Sequence, residues 1–150
     1  MQPTNNIGYL LNHLAFMLSR QSDQVLQEQL GIGFSQFKIM MALKWNPSVQ
    51  QKQIAERLGQ TEASISRQIK LLHDKNLLNT RVGAHNKREH ITNLTPKGER
   101  LTEKAMQILN NYHAPTFASL SVKQQQTLIE ILNTMHDAIC VDKSGSFNHP

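Results

Sequence analysis

The chain has 150 residues, 39% of them hydrophobic and 18% charged, which is enough apolar material for one globular domain with its own core. No run of about 18 apolar residues occurs, and the start lacks the charged-then-apolar pattern of a signal peptide, so a cytoplasmic protein without a membrane span is expected. A single cysteine excludes an internal disulfide framework, and the net charge of +5 becomes informative once it is placed along the chain.

Met1 to Asn5 is polar. From Asn6 the spacing predicts a long helix to about Leu30, with Ile7, Leu10, Leu11, Leu14, Met17 and Leu18 on one broad stripe and Gly31 closing it. Ser35 is the expected cap of the next helix, Gln36 to Lys44, whose Phe37, Ile39, Met40, Met41 and Leu43 make it mostly buried. Asn46-Pro47 ends it, because the residue before proline is pushed out of helical geometry.

Gln53 to Leu58 reads as a short helix closed by Gly59. Thr61 then caps another helix, with Glu62 in its first turn opposing the helix dipole. Its apolar stripe, Ile65, Ile69 and Leu72, is narrow, and is expected to dock on a neighbouring helix rather than sit in a core. Ala63, Ser64, Arg67, Lys70 and Asp74 occupy the other side. A slender outward face with a hydroxyl and two cations is what a helix needs to enter the major groove and reach base edges.

Asn76, a residue that tolerates the left-handed closing position, follows. Leu77 to Val82 and Glu89 to Leu94 are short runs suited to strands, separated by Gly83 to Arg88, so a β-hairpin with a basic tip is predicted. Lys87 and Arg88 at that tip suit a phosphate ridge or a narrow minor groove. Thr95 caps and Pro96 starts a helix through Leu101, Ala105, Ile108, Leu109 and Tyr112, which Pro115 is expected to break. A last helix from near Ser121 carries Leu128, Ile131, Leu132, Met135 and Ile139 on one face, with a frayed end from Val141.

Residues 47–97 hold nine Lys or Arg against four acids, a net of +5, while the remainder balances seven bases with seven acids. The whole net charge therefore sits on the segment with the outward cations, as a phosphate-binding surface requires. The flanking helices, long and apolar on one side, exceed what one small lobe can bury, and they argue for a two-fold homodimer.

Other chemistry is sparse. Cys140 lies between Ile139 and Val141 with only Lys143 as a nearby cation, a poor setting for a reactive thiolate. None of the seven histidines pairs at helical spacing with a carboxylate or cysteine beside it, so no metal is expected. No phosphate loop, serine elbow or cysteine-base pair is present; neither catalysis nor a cofactor is expected.

The run Gln53-Ile54-Ala55-Glu56-Arg57-Leu58-Gly59, then Ser66-Arg67, Leu72 through Leu78, Arg81, and Arg88 through Leu94-Thr95-Pro96-Lys97-Gly98 resembles the MarR-type winged-helix transcriptional regulators. Asn86 stands where that family usually has an Asp at the wing, and Asn76 where it has a Gly. The resemblance implies a mainly α single domain over residues 1–150 with a small β-hairpin wing. Residues 33–97 would form the winged helix-turn-helix lobe, and 6–31 and 98–141 the dimerisation helices. It also implies a repressor of double-stranded DNA whose operator is pseudo-palindromic.

On the combined reading the DNA-binding residues are Thr61, Ser64, Arg67, Gln68, Lys70, Lys87 and Arg88. By the resemblance, a small phenolic or lipophilic effector would relieve binding from a cleft lined by Phe16, Met17, Arg20, Phe37, Met41 and Trp45. The alternative is a winged helix used as a protein-docking or ligand-binding module; acidic or apolar residues in place of Arg67 and Lys70 would favour it.

Overall fold

The computed structural model describes residues 5–85 and 90–139. Its elements run α1 (Ile7–Leu30), α2 (Phe34–Trp45), α3 (Gln51–Leu58), α4 (Glu62–Asp74), β1 (Leu78–Val82), β2 (His90–Leu94), α5 (Pro96–Ala118) and α6 (Val122–Ile139). The expected class, mainly α with a two-stranded antiparallel hairpin, is what forms. The strands pair from Leu78 opposite Leu94 to Val82 opposite His90. The chain divides into one unit ending at Asn110 and a second beginning at Asn111, a boundary inside α5.

Local chemistry sets most element ends. Asn6 accepts a hydrogen bond from the Tyr9 amide at 2.8 Å, capping α1. Gly31 and Gly59 close α1 and α3 at φ of +65° and +61°, where a side chain would be strained. The start of α2 departs from expectation. Ser35 does not cap it; the helix begins at Phe34, whose amide donates to Asp23 of α1 at 2.8 Å, while the Gly33 amide donates to the Gln36 side chain at 3.2 Å. A carboxylate from another helix thus fills the capping role and ties α2 to α1. Pro115 likewise does not end α5, which continues to Ala118. The ring removes only the hydrogen bond to the Asn111 carbonyl, which the long preceding helix tolerates. The last turn instead closes at Leu120, whose amide donates to Phe117, and Ser121 then caps α6 through the Gln124 amide.

The core of the first unit gathers Leu26, Ile32, Ile39, Met40, Leu43, Ile54, Ile65, Leu72, Leu77 and Leu78 with Ala105 of α5, none more than 3% exposed. The stripe of α4 belongs to this core: Ile65, Ile69 and Leu72 are 0%, 7% and 0% exposed, against the expectation of docking outside one. A stripe three residues wide suffices because α2, α3 and β1 close around it.

The helix-to-wing junction is bonded from both sides. Asn76 takes φ of +57°, as the sequence expects, and turns the chain from α4 into β1. The Thr95 hydroxyl donates to the Asn76 carbonyl at 2.7 Å, the Thr95 amide to Leu77 at 3.0 Å, and the Gly98 amide returns to the Thr95 hydroxyl at 3.0 Å. Gly98 is buried against the wing base, where a Cβ would meet the Leu77 carbonyl oxygen and the Leu94 side chain. Lys44 of α2 and Glu103 of α5 pair at 2.8 Å on the surface. The hydrogen bond and charge of Lys44 hold the Glu103 carboxyl below its ordinary range. That small contribution is present at neutral pH and fades as pH falls through the lowered value.

Gly98→Ala is expected to destabilise the fold by about 3 kcal/mol, the upper end for forcing one methyl into a packed site, because the obstacle is backbone. Urea unfolding monitored by circular dichroism measures it; a loss under about 0.5 kcal/mol, ordinary for surface changes, would show that the junction relaxes freely.

Candidate nucleic-acid interface

The outward face of α4 follows from what its inward face buries. With Ile65, Ile69 and Leu72 in the core, the 3.6-residue period turns Arg67 directly away from it and leaves Lys70 and Asp74 beside Arg67, all exposed. Thr61 is exposed at the start of the helix, where its hydroxyl accepts the Ser64 amide at 3.1 Å. Ser64 and Gln68 lie on the flank nearer the buried stripe, and both are half-buried. The Ser64 hydroxyl donates to the Gln60 side-chain oxygen at 3.2 Å, and the Gln60 side-chain nitrogen donates to the Ser35 hydroxyl at 2.7 Å. Thr61, Ser64, Arg67, Gln68 and Lys70 thus share one helix as read from the sequence, with Ser64 already engaged by its neighbours. Lys87 and Arg88, with Asn86, lie outside the described residues, as does Cys140.

Two features escape the sequence reading. Leu71 is 47% exposed, four residues after Arg67 on the same side of the helix. Its angular distance from the Ile65 stripe was the available signal. The Ser35–Gln60–Ser64 chain had none, since Gln60 and Ser35 are 25 residues apart and only folding joins them.

Beside the hairpin, Pro47, Ser48, Val49 and Gln50 face Arg81, Ile91, Thr92 and Asn93 across a cleft of about 210 Å³. Arg81 is exposed on β1 and adds a cation to this side of the lobe. Lys75 and Lys97 are tied locally instead: Lys75 donates to the Gly31 carbonyl at 2.9 Å and Lys97 to the Lys75 carbonyl at 3.0 Å. Both cations complement carbonyls near helix ends.

The candidate effector residues divide. Phe37 is 7% exposed and belongs to the core, its ring stacked on Phe34 at 6.0 Å. Met41 is half-buried against that core. Phe16, Met17 and Trp45 are 60%, 37% and 58% exposed, and Arg20 is exposed on α1. Among the described residues no helix is long and apolar enough to cross a membrane.

Residues 30–89 match the MarR family model. No curated protein sequence matches the chain. Among solved structures, the chain is similar to a MarR/EmrR family transcriptional regulator from Acinetobacter sp. ADP1, at 21% identity over 95% of this chain and 100% of that one, with a TM-score of 0.79. It is similar to CouR from Rhodococcus jostii RHA1 bound to p-coumaroyl-CoA, at 16% identity over 97% and 99%, with a TM-score of 0.80. It is also similar to MepR of S. aureus in a DNA complex, at 23% identity over 89% and 96%, with a TM-score of 0.71. These likenesses concern the fold; the family match falls on the segment that holds α2, α3, α4 and β1. A segment of the chain thus matches the MarR family model, and the chain as a whole shares the fold of MarR-type structures.

Proposed function

We propose that the chain acts as a homodimeric, sequence-specific transcription factor on double-stranded DNA. It represses by occupying a pseudo-palindromic operator, and a small phenolic or lipophilic effector releases it. The observation that carries this is the division of α4, with three apolar side chains fully committed to the core and Thr61, Arg67 and Lys70 exposed on the remaining surface. A helix anchored this way presents a rigid profile to a groove, with two cations, Arg67 and Lys70, at its middle. In this reading Ser64 and Arg67 meet base edges, with Thr61, Gln68 and Lys70 at the groove wall and Lys87 and Arg88 on flanking backbone or minor groove. The confinement of the +5 charge to residues 47–97 supports it, and so does the DNA-bound MepR of the same fold. Binding is the whole activity.

Dimerisation is supported by apolar surface that each unit leaves uncovered. On α1, Ile7, Leu14 and Phe16 are exposed; on α6, Ile129, Ile131, Leu132 and Ile139 are between 41% and 78% exposed. A two-fold dimer sets its recognition helices about one DNA turn apart, roughly 34 Å, which is why the operator is expected to be pseudo-palindromic. For the effector, the p-coumaroyl-CoA carried by CouR supports a ligand of phenolic character. Phe16, Met17, Arg20, Met41 and Trp45 remain the candidate lining, with Phe37 as a core residue behind them.

Binding to the DNA upstream of its own gene, compared with random DNA over a salt series, tests the proposal. The expected outcome is steep salt dependence and a preference for one palindromic site. Arg67→Ala is expected to cost about 1–3 kcal/mol on that site and to relax its preference, leaving stability within about 0.5 kcal/mol. An equal loss on specific and random DNA would remove Arg67 from the bases. Replacing both Leu128 and Ile131 by Glu is expected to yield folded monomer by sedimentation, with operator affinity lost; an unchanged dimer would exclude α6 from the interface.

A further inference from the structure

The sequence preference of a serine depends on where its proton points. A free hydroxyl rotates and meets either a donor or an acceptor, so it discriminates poorly among bases. In this lobe the Ser64 hydroxyl is not free. Its proton is directed to the Gln60 side-chain oxygen at 3.2 Å.

Gln60 is itself held at both ends. Its backbone amide closes α3 by donating to the Ala55 carbonyl at 2.9 Å, the six-to-one bond of a glycine-terminated helix. Its side-chain nitrogen donates to the Ser35 hydroxyl on α2 at 2.7 Å, which aims the amide oxygen at Ser64. Ser35, Gln60 and Ser64 are all half-buried, so water competes weakly for these bonds. The Ser64 amide is also occupied, by Thr61.

We propose that Gln60 is a specificity-positioning residue: by holding the Ser64 proton it makes that hydroxyl an acceptor only, so each half-site presents a base amino group to Ser64. In the major groove those groups are the N6 of adenine and the N4 of cytosine, while guanine and thymine offer only acceptors at the corresponding edge. Arg67, with donors alone, is exposed on the adjoining face of α4, one turn on from half-buried Ser64, and demands the complementary partner, an acceptor. The two side chains together therefore require an amino-bearing base beside an acceptor-bearing one. This inference rests on the proposal that α4 reads DNA.

The test is selection of bound sites from a randomised duplex library by the full-length protein and three variants. The wild type is expected to enrich adenine or cytosine at one position of each half-site by about tenfold, the size of one hydrogen-bond mismatch. Ser64→Ala is expected to erase the preference at that position alone. Gln60→Met, similar in length but unable to hold the proton, is expected to admit guanine and thymine there. Gln60→Glu accepts the protons of both serines and is expected to retain the wild-type profile. Thermal melting confirms that each variant folds. A Gln60→Met protein that binds more weakly but keeps every base preference would reduce the chain of bonds to structural support and overturn the proposal, as would a Ser64→Ala profile identical to the wild type. A wild type that enriches no sequence at all would overturn the DNA-binding reading itself, an outcome distinct from the other two.

Discussion

The rotation of α4 about its own axis is the constraint on which the lobe depends, and burial of Ile65, Ile69 and Leu72 sets it. Each fully buried aliphatic side chain contributes roughly 1.5–3 kcal/mol relative to exposure. Turning the helix by even one residue, about 100°, would put a polar neighbour into the core and an isoleucine into water. The outward chemistry is therefore a consequence of the inward packing. Arg67 faces out because Ile65 and Ile69 face in, and no surface interaction of Arg67 is needed to explain it. A helix whose orientation is settled by its core side can carry almost any outward residues, so its outward chemistry can vary without disturbing the fold.

The wing depends on a second constraint, the close approach at the junction of α4, β1 and α5. Asn76 turns the chain at positive φ, Thr95 bonds back to Asn76 and Leu77, and Gly98 permits the backbone of α5 to lie against the Leu77 carbonyl. Leu77 and Leu78 meanwhile enter the same core as Leu72. Helix α4 and the hairpin are thus fixed to one another through core packing, backbone bonds and the side-chain bonds of Thr95 and Lys97. The Leu-Thr-Pro-Lys-Gly run is a structural knot, and its serial order reflects three successive demands: a leucine packed against the core, a hydroxyl that bonds in two directions, and a glycine where nothing larger fits.

Much of this was legible in the sequence wherever the determinant was local. Gly31, Gly59, Thr61, Asn76 and Pro96 announce helix ends because each acts on its own backbone or the next turn. The face of α4 was legible from periodicity alone. What was hidden depends on residues far apart. Ser35 has the right chemistry for a cap, but Asp23 reaches the α2 amide first, and Ser35 serves Gln60 instead. Pro115 breaks helices on average, yet a helix already long before it continues past for one turn. Phe37 resembled a cleft residue because aromatics suit both ligands and cores, and only packing tells them apart. The core placement of the Ile65 stripe is hidden for the same reason: a width read along one helix says nothing of how many elements close around it.

The distribution of charge connects these two constraints to assembly. Residues outside 47–97 are balanced, seven bases with seven acids, and the apolar surface on α1 and α6 belongs to that neutral part. Two copies meeting through those helices would bring together surfaces of small net charge, so association would be left mainly to apolar burial, which salt weakens little. Residues 47–97 keep +5 in each copy, and in a dimer those charges would add toward one polyanion. Salt would then act on the DNA contact while sparing the dimer contact, because one is electrostatic and the other is not. Under the proposed function, segregating charge from apolar surface along the chain would let a protein of this size pair stably and still bind DNA reversibly.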